Sequence, residues 1–140
     1  MATLTAPFVS WDKSWLIGVH EIDAQHKRLV ELLNQLHHAM SEGKGKDVLG
    51  GILESLVAYT KAHFKAEESM LEQSGYPEIV QHKFEHAELT RKVLDFQKKF
   101  EAGGFGMSIE LMEFLRTWLK GHILGTDIKY VALLHSRGIK

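Results

Sequence analysis

The chain has 140 residues, 44% of them hydrophobic and 25% charged, with a formal net charge of -1; this suits one domain with an ordinary core and gives no electrostatic case for a nucleic-acid partner. Cysteine is absent, which excludes disulfides, thiolate metal sites and a cysteine nucleophile. No apolar run reaches the roughly 18 residues of a membrane span, and the opening Met-Ala-Thr-Leu-Thr-Ala-Pro lacks the basic and long apolar regions of a signal peptide, so a cytoplasmic protein without membrane insertion is expected.

Residues 1–21 show no helical period, and the aromatics Phe8, Trp11 and Trp15 are expected to pin this arm across the rest of the fold. From about residue 22 to 135 the pattern changes to four amphipathic stretches. Ile22, His26, Leu29, Val30, Leu33, Leu36 and Met40 mark the first helix, with Asp23 as its N-cap and an end at residues 41–45. Asp47 is placed to cap the second, whose stripe runs through Leu49, Ile52, Leu53, Leu56, Thr60, His63, Glu67, Met70 and Leu71 to Gly75. After the Tyr76-Pro77 turn, Ile79, His82, His86, Leu89, Val93, Phe96 and Phe100 form the third, ending at Gly103-Gly104. Ser108 is placed to cap the fourth, which carries Leu111, Met112, Leu115, Trp118, Leu119, His122 and Ile123. Short links favour antiparallel neighbours, so the expected fold is all-α, an up-down-up-down four-helix bundle with an extended N-terminal arm, in a single domain over 1–140.

Seven ionisable residues interrupt these apolar stripes: His26, His63, Glu67, His82, His86, His122 and Asp127. Two pairs, His63/Glu67 and His82/His86, are four apart and share a helix face. Any one histidine on such a stripe reads most simply as a hydrogen-bonded core residue. Seven buried ionisable groups are costly unless paired or bound to a metal. In an antiparallel bundle, early His26, late His63 and Glu67, early His82 and His86, and late His122 and Asp127 all fall at one end. Seven ligands exceed what one small transition-metal ion takes, and two ions sharing two bridging carboxylates, Glu67 and Asp127, fit better. Imidazole suits iron, copper, zinc and nickel, and the carboxylates tilt the choice toward iron. The five-residue step from His122 to Asp127 rotates the pair about 140° on a regular α-helix. A local π-turn would bring both to one centre, and Gly121 and Gly125 would ease it.

The motifs Asp23-Ala-Gln-His26, His63-Phe-Lys-Ala-Glu67, His82-Lys-Phe-Glu-His86 and His122-Ile-Leu-Gly-Thr-Asp127-Ile-Lys-Tyr130, with Val9-Ser-Trp-Asp12 in the arm, together resemble the hemerythrin family, specifically its single-domain bacterial members. The resemblance implies two iron ions with a bridging oxo or hydroxo group. Glu67 and Asp127 would bridge them, His82, His86 and His122 would complete one iron, and His26 and His63 would bind the other and leave one position open for O2. It further implies that Phe64, Trp118, Leu119 and Ile123 wall an oxygen pocket; by spacing alone they read equally well as core packing. Tyr130, three residues beyond Asp127, is read as a hydrogen-bond donor behind the ligands, or else as a core tyrosine. His20, His37, His38 and His135 are expected at the surface or rim, Glu68 off the ligand stripe, and Lys98-Lys99 in solvent.

The function implied is reversible O2 binding for oxygen carriage, storage or delivery to an oxygen-consuming partner protein, without enzymatic turnover. Alternatives are a di-iron enzyme reducing O2, peroxide or nitric oxide, an oxygen or redox sensing module and, less favoured, an iron reservoir.

Overall fold

The computed structural model describes residues 7–102 and 109–140. Four long helices dominate: α1 (His20–Ser41), α2 (Lys46–Gln73), α3 (Ile79–Glu101) and α4 (Ile109–Gly121). The fourth does not stop at Gly121 but runs through a π-turn (His122–Thr126) and a 3-10 turn (Asp127–Tyr130) into α5 (Val131–Ser136). Among the described residues there is no strand, and no helix is long and apolar enough to cross a membrane. α1 packs along α2, α2 along α3, and α4 against α1. His26 near the start of α1 meets His63 in the second half of α2, ring centroids 4.8 Å apart. His82 at the start of α3 meets His122 just past the end of α4 at 5.0 Å. Neighbouring helices therefore run in opposite directions, the arrangement of an up-down-up-down four-helix bundle.

The apolar stripes set the packing. Leu33 and Leu36 of α1, Leu53 and Leu56 of α2, Leu89 and Val93 of α3, and Leu111, Met112 and Leu115 of α4 are buried together in one core. Two links are closed by glycine in the left-handed region, Gly43 at φ 68° and Gly75 at φ 73°. After α2, Gly75 N–H donates to Glu72 O and Tyr76 N–H to Leu71 O, the paired bonds that satisfy orphan carbonyls at a helix end. The same pair closes α1, from Gly43 to Met40 and from Lys44 to Ala39.

Two capping expectations need correction. α1 begins at His20 with Val19 as N-cap, so Asp23 lies inside its first turn. Asp23 instead accepts the backbone N–H groups of Ile17 at 2.8 Å and Gly18 at 3.1 Å, tying the arm to the helix. α2 begins at Lys46 with Gly45 as N-cap and no side-chain cap bond; Asp47 sits in the first turn, where its charge faces the positive end of the helix dipole. Gly103-Gly104 and Ser108 lie outside the described residues.

The arm is held along its length. Asn34 bonds both backbone groups of Val9 at 2.8 Å. Phe8 stacks on His37 and lies under the guanidinium of Arg116. Trp15 is buried, stacks with Trp11 and donates to Ser10 O. Asp23→Ala removes the acceptor for two arm N–H groups, one of them buried. Urea unfolding of the metal-free variant should show a loss of about 1–3 kcal/mol; an unchanged midpoint would mean the arm is held without Asp23.

Candidate metal centre

His26, His63, Glu67, His82, His86, His122 and Asp127 are all buried and meet at one end of the bundle. α1 supplies His26, α2 supplies His63 and Glu67, α3 supplies His82 and His86, and the π-turn supplies His122 and, one residue on, Asp127. The backbone N–H of Asp127 bonds to His122 O, the five-residue step of a π-turn. That extra residue brings Asp127 round to the same side as His122, Nε2 to Oδ1 3.0 Å. A Cβ at Gly121 or Gly125 would meet nothing within 4 Å, so these glycines relax the backbone rather than make room.

The seven residues fall into two groups. Glu67, His82, His86, His122 and Asp127 form one set of converging ligand atoms, and His26, His63 and Glu67 the other. The carboxylates join them. Glu67 turns Oε1 toward His82 and His86, 3.2 Å from the latter, and Oε2 toward His63 at 3.3 Å and His26 at 3.7 Å. Asp127 turns Oδ1 toward His82 at 3.2 Å and His122, and Oδ2 toward His26 at 3.2 Å. Each carboxylate thus divides its oxygens between the two groups.

These contacts are close but mostly not hydrogen bonds. His26 Nε2 and both oxygens of Asp127 are buried without a hydrogen-bond partner despite near neighbours. His86 Nε2 and His122 Nε2 face each other at 3.0 Å. Donors at right angles around a cation, each about 2.1 Å from it, would lie about 3.0 Å apart. The spacing and the missing hydrogen-bond geometry fit atoms aimed at shared points between them. Five imidazole nitrogens and two carboxylates suit a first-row transition metal.

A family model described as the Hemerythrin HHE cation binding domain matches residues 17–134. The chain belongs to the hemerythrin family. Bacteriohemerythrin of Pseudomonas aeruginosa (strain LESB58) is 39% identical over 127 residues, covering 90% of this chain and 82% of that protein. Bacteriohemerythrin of Stenotrophomonas maltophilia (strain R551-3) is 37% identical over 120 residues, covering 86% and 77%. A crystal structure of wild-type hemerythrin, 33% identical, matches with a TM-score of 0.85 over 91% of this chain and 98% of the other.

Within this hemerythrin-family site, a further set of hydrogen bonds lies behind the imidazoles. Gln25 Oε1 meets His63 Nδ1 at 2.6 Å, Glu68 Oε2 meets His86 Nδ1 at 2.7 Å, and Glu85 Oε1 meets His122 Nδ1 at 3.3 Å. Glu68 does lie off the ligand stripe, yet it is tied to the site. Gln25 and Glu85 were not singled out by the sequence. Each of the three is the sequence neighbour of a cluster residue, and that adjacency was the available signal. Tyr130, fully buried, donates its hydroxyl to Glu67 Oε2 at 3.2 Å. Phe64 lies parallel to His86 with centroids 3.7 Å apart, and Trp118 stacks on His122 at 4.4 Å. Phe64, Trp118, Leu119 and Ile123 all line a mostly apolar cavity of about 40 Å³ that also touches His26, His63 and His122. The other histidines stand apart: His20 is exposed, His38 pairs with Glu42, His37 stacks on Phe8, and His135 bonds Gly18 O.

Protons are the alternative to a cation here. Burial opposes charge on His26 and His82, but the facing carboxylates of Asp127 and Glu67 outweigh it and push both up to about 9. Burial dominates at His63 and lowers it. Burial also works against ionised Glu67 and Asp127, and the surrounding imidazoles nevertheless hold both below the usual carboxylate range. Burial, then the nearby carboxylates, raise Tyr130, so its hydroxyl stays protonated.

His26 and His82 bind protons more tightly folded than unfolded. Their stabilisation of the metal-free protein is complete below the ordinary histidine value of about 6.5 and is lost as pH rises through about 9. The depressed carboxyls stabilise above about pH 4 and lose that contribution on acidification. The melting temperature of metal-free protein, followed by circular dichroism, should therefore fall from about pH 6.5 to 9.5. A bound cation takes the place of the protons, so the alkaline fall should disappear on loading. A flat metal-free profile over that range would contradict the pairing.

Proposed function

We propose that the chain binds O2 reversibly at a pair of iron ions held by the seven clustered residues, as an oxygen carrier, store or delivery protein. His82, His86 and His122 would hold one iron, His26 and His63 the other, with Glu67 and Asp127 shared between them. Bound there, the iron pair supplies the two electrons that oxygen takes up on binding and gives back on release.

The observation that carries this reading is the cavity. It is small, about 40 Å³, and walled by Leu29, Phe64, Trp118, Leu119 and Ile123. On the ligand side it touches both histidines of the smaller group, His26 and His63, the group with fewer donors. A diatomic gas fits such a space, whereas an organic substrate needs a pocket of roughly 300 Å³ or more. Apolar walls offer water few partners, which protects a bound small molecule from solvent protons.

The donor set points the same way. Di-iron proteins of the ferritin-like type use glutamates with Glu-x-x-His pairs. Here five neutral imidazoles stand against two carboxylates, a balance that favours the ferrous pair and so favours release over onward oxidation. Tyr130 donates its hydroxyl to Glu67 Oε2, on the side that faces His26 and His63.

Reduced, iron-loaded protein cycled between air and argon should gain and lose a visible absorption band over many cycles. A single irreversible conversion in air would overturn the carrier reading and favour an oxygen-reducing enzyme. Leu119→Asn places a polar group in the cavity wall and should speed autoxidation several-fold, followed as decay of the oxygenated spectrum. An unchanged rate would remove Leu119 from the barrier that keeps water out.

A further inference from the structure

The hydrogen bonds behind the cluster are unevenly shared, and we propose that they make its two halves unequal cation sites. The strong half, on His82, His86 and His122, takes and keeps the first cation. The weak half, on His26 and His63, holds the exchangeable one. This rests on the reading of the cluster as a two-cation centre.

All five imidazoles turn Nε2 toward the carboxylates, so a cation there leaves the proton on Nδ1. The acceptor of that Nδ1–H tunes the ring, because an anionic acceptor draws on the proton and raises electron density at the ligating nitrogen. In the strong half both acceptors are carboxylates: His86 donates to Glu68 at 2.7 Å and His122 to Glu85 at 3.3 Å. Glu85 is steadied by the hydroxyl of Thr126, which donates to the same oxygen at 3.0 Å and so also ties α3 across the π-turn. In the weak half the corresponding acceptor is neutral, the amide oxygen of Gln25 on His63. One histidine in each half, His82 and His26, has no hydrogen-bond partner for Nδ1 among the described residues, so these two do not alter the contrast.

Tyr130 tilts the balance further. Its hydroxyl donates to Glu67 Oε2, the oxygen that faces His26 and His63, while Oε1 faces His82 and His86. A donated hydrogen bond withdraws density from the oxygen that accepts it, so the shared carboxylate is the poorer ligand on the weak side. Two glutamates that strengthen one half and a tyrosine that weakens the other act in the same direction. The cavity touches both histidines of the weak half and only His122 of the strong one. The loosely held cation is therefore the one beside the space for a small ligand.

The test is an anaerobic titration of full-length metal-free protein with cobalt(II), followed by calorimetry and by visible absorption. Wild type should bind two equivalents in two resolved steps. Glu68→Gln and Glu85→Gln should each weaken the first step about tenfold, the low end for such outer partners because both glutamates are partly solvated. The second step should stay within about twofold. Thr126→Val, which frees Glu85 without touching a ligand, should weaken the same first step by less. Tyr130→Phe should have the opposite sign and tighten the second step several-fold. His63→Ala should abolish the second step and spare the first, with circular dichroism establishing that each metal-free variant is folded. Two merged steps, glutamine variants that weaken both steps alike, or a Tyr130→Phe variant that weakens the second step would overturn the inequality. Uptake of fewer than two equivalents by wild type would instead overturn the two-cation reading, and the inequality with it.

Discussion

Five imidazoles and two carboxylates share one buried end of a helical bundle, and the cost of keeping them there governs the rest of the structure. Any one of them alone in this core would be forced toward neutrality or would need its own hydrogen-bond partner. Brought together, they offset one another. The carboxylates hold protons on His26 and His82 to about 9 in the absence of a cation, and the imidazoles hold Glu67 and Asp127 ionised. The arrangement needs every helix at the correct height. His26 lies nearly two turns into α1 and His82 in the first turn of α3, while His63 and Glu67 stand far along α2, so only antiparallel neighbours bring them level. The π-turn is the remaining adjustment, since without its extra residue His122 and Asp127 would point to different sides of the helix.

The cluster was legible in the sequence because its members break an otherwise apolar period. A histidine in register with Leu29, Leu33 and Leu36, or with Leu89 and Val93, has no solvated face to explain it. The π-turn was legible for a related reason, because two residues five apart cannot share a face of a regular helix. What the sequence concealed lies one residue away. Gln25, Glu68 and Glu85 sit about 100° round the helix from their cluster neighbours, on faces where most glutamates are solvated. Nothing in composition separates Glu68, which reaches His86, from Glu72, which pairs with Lys83 on the surface. Asp23 reads as a cap because one chemistry serves two places: an aspartate that caps a helix and one that accepts N–H groups from a preceding loop look alike in sequence. Here the carboxylate serves Ile17 and Gly18, and the helix starts three residues earlier.

Position in the bundle divides the labour. Far from the cluster the helices touch mainly through apolar side chains such as Leu33, Leu53, Val93 and Met112. Close to it, aromatic rings lie flat on the imidazoles, Phe64 on His86 and Trp118 on His122, which fixes the planes of those rings. The same two side chains wall the cavity, so the groups that orient the cluster also shape the space beside it. Membership of the hemerythrin family gives this geometry its setting. The proposed oxygen binding and the proposed inequality of the two halves follow from the donors, the cavity and the outer hydrogen bonds of this chain.

The central claim is that one buried cluster holds two metal ions through shared carboxylates. X-ray absorption at the iron edge of the fully loaded protein tests it most directly. The predicted result is a mixed nitrogen and oxygen shell around each iron, with a second iron within roughly 4 Å. Iron with no metal neighbour, or an all-oxygen shell, would contradict it.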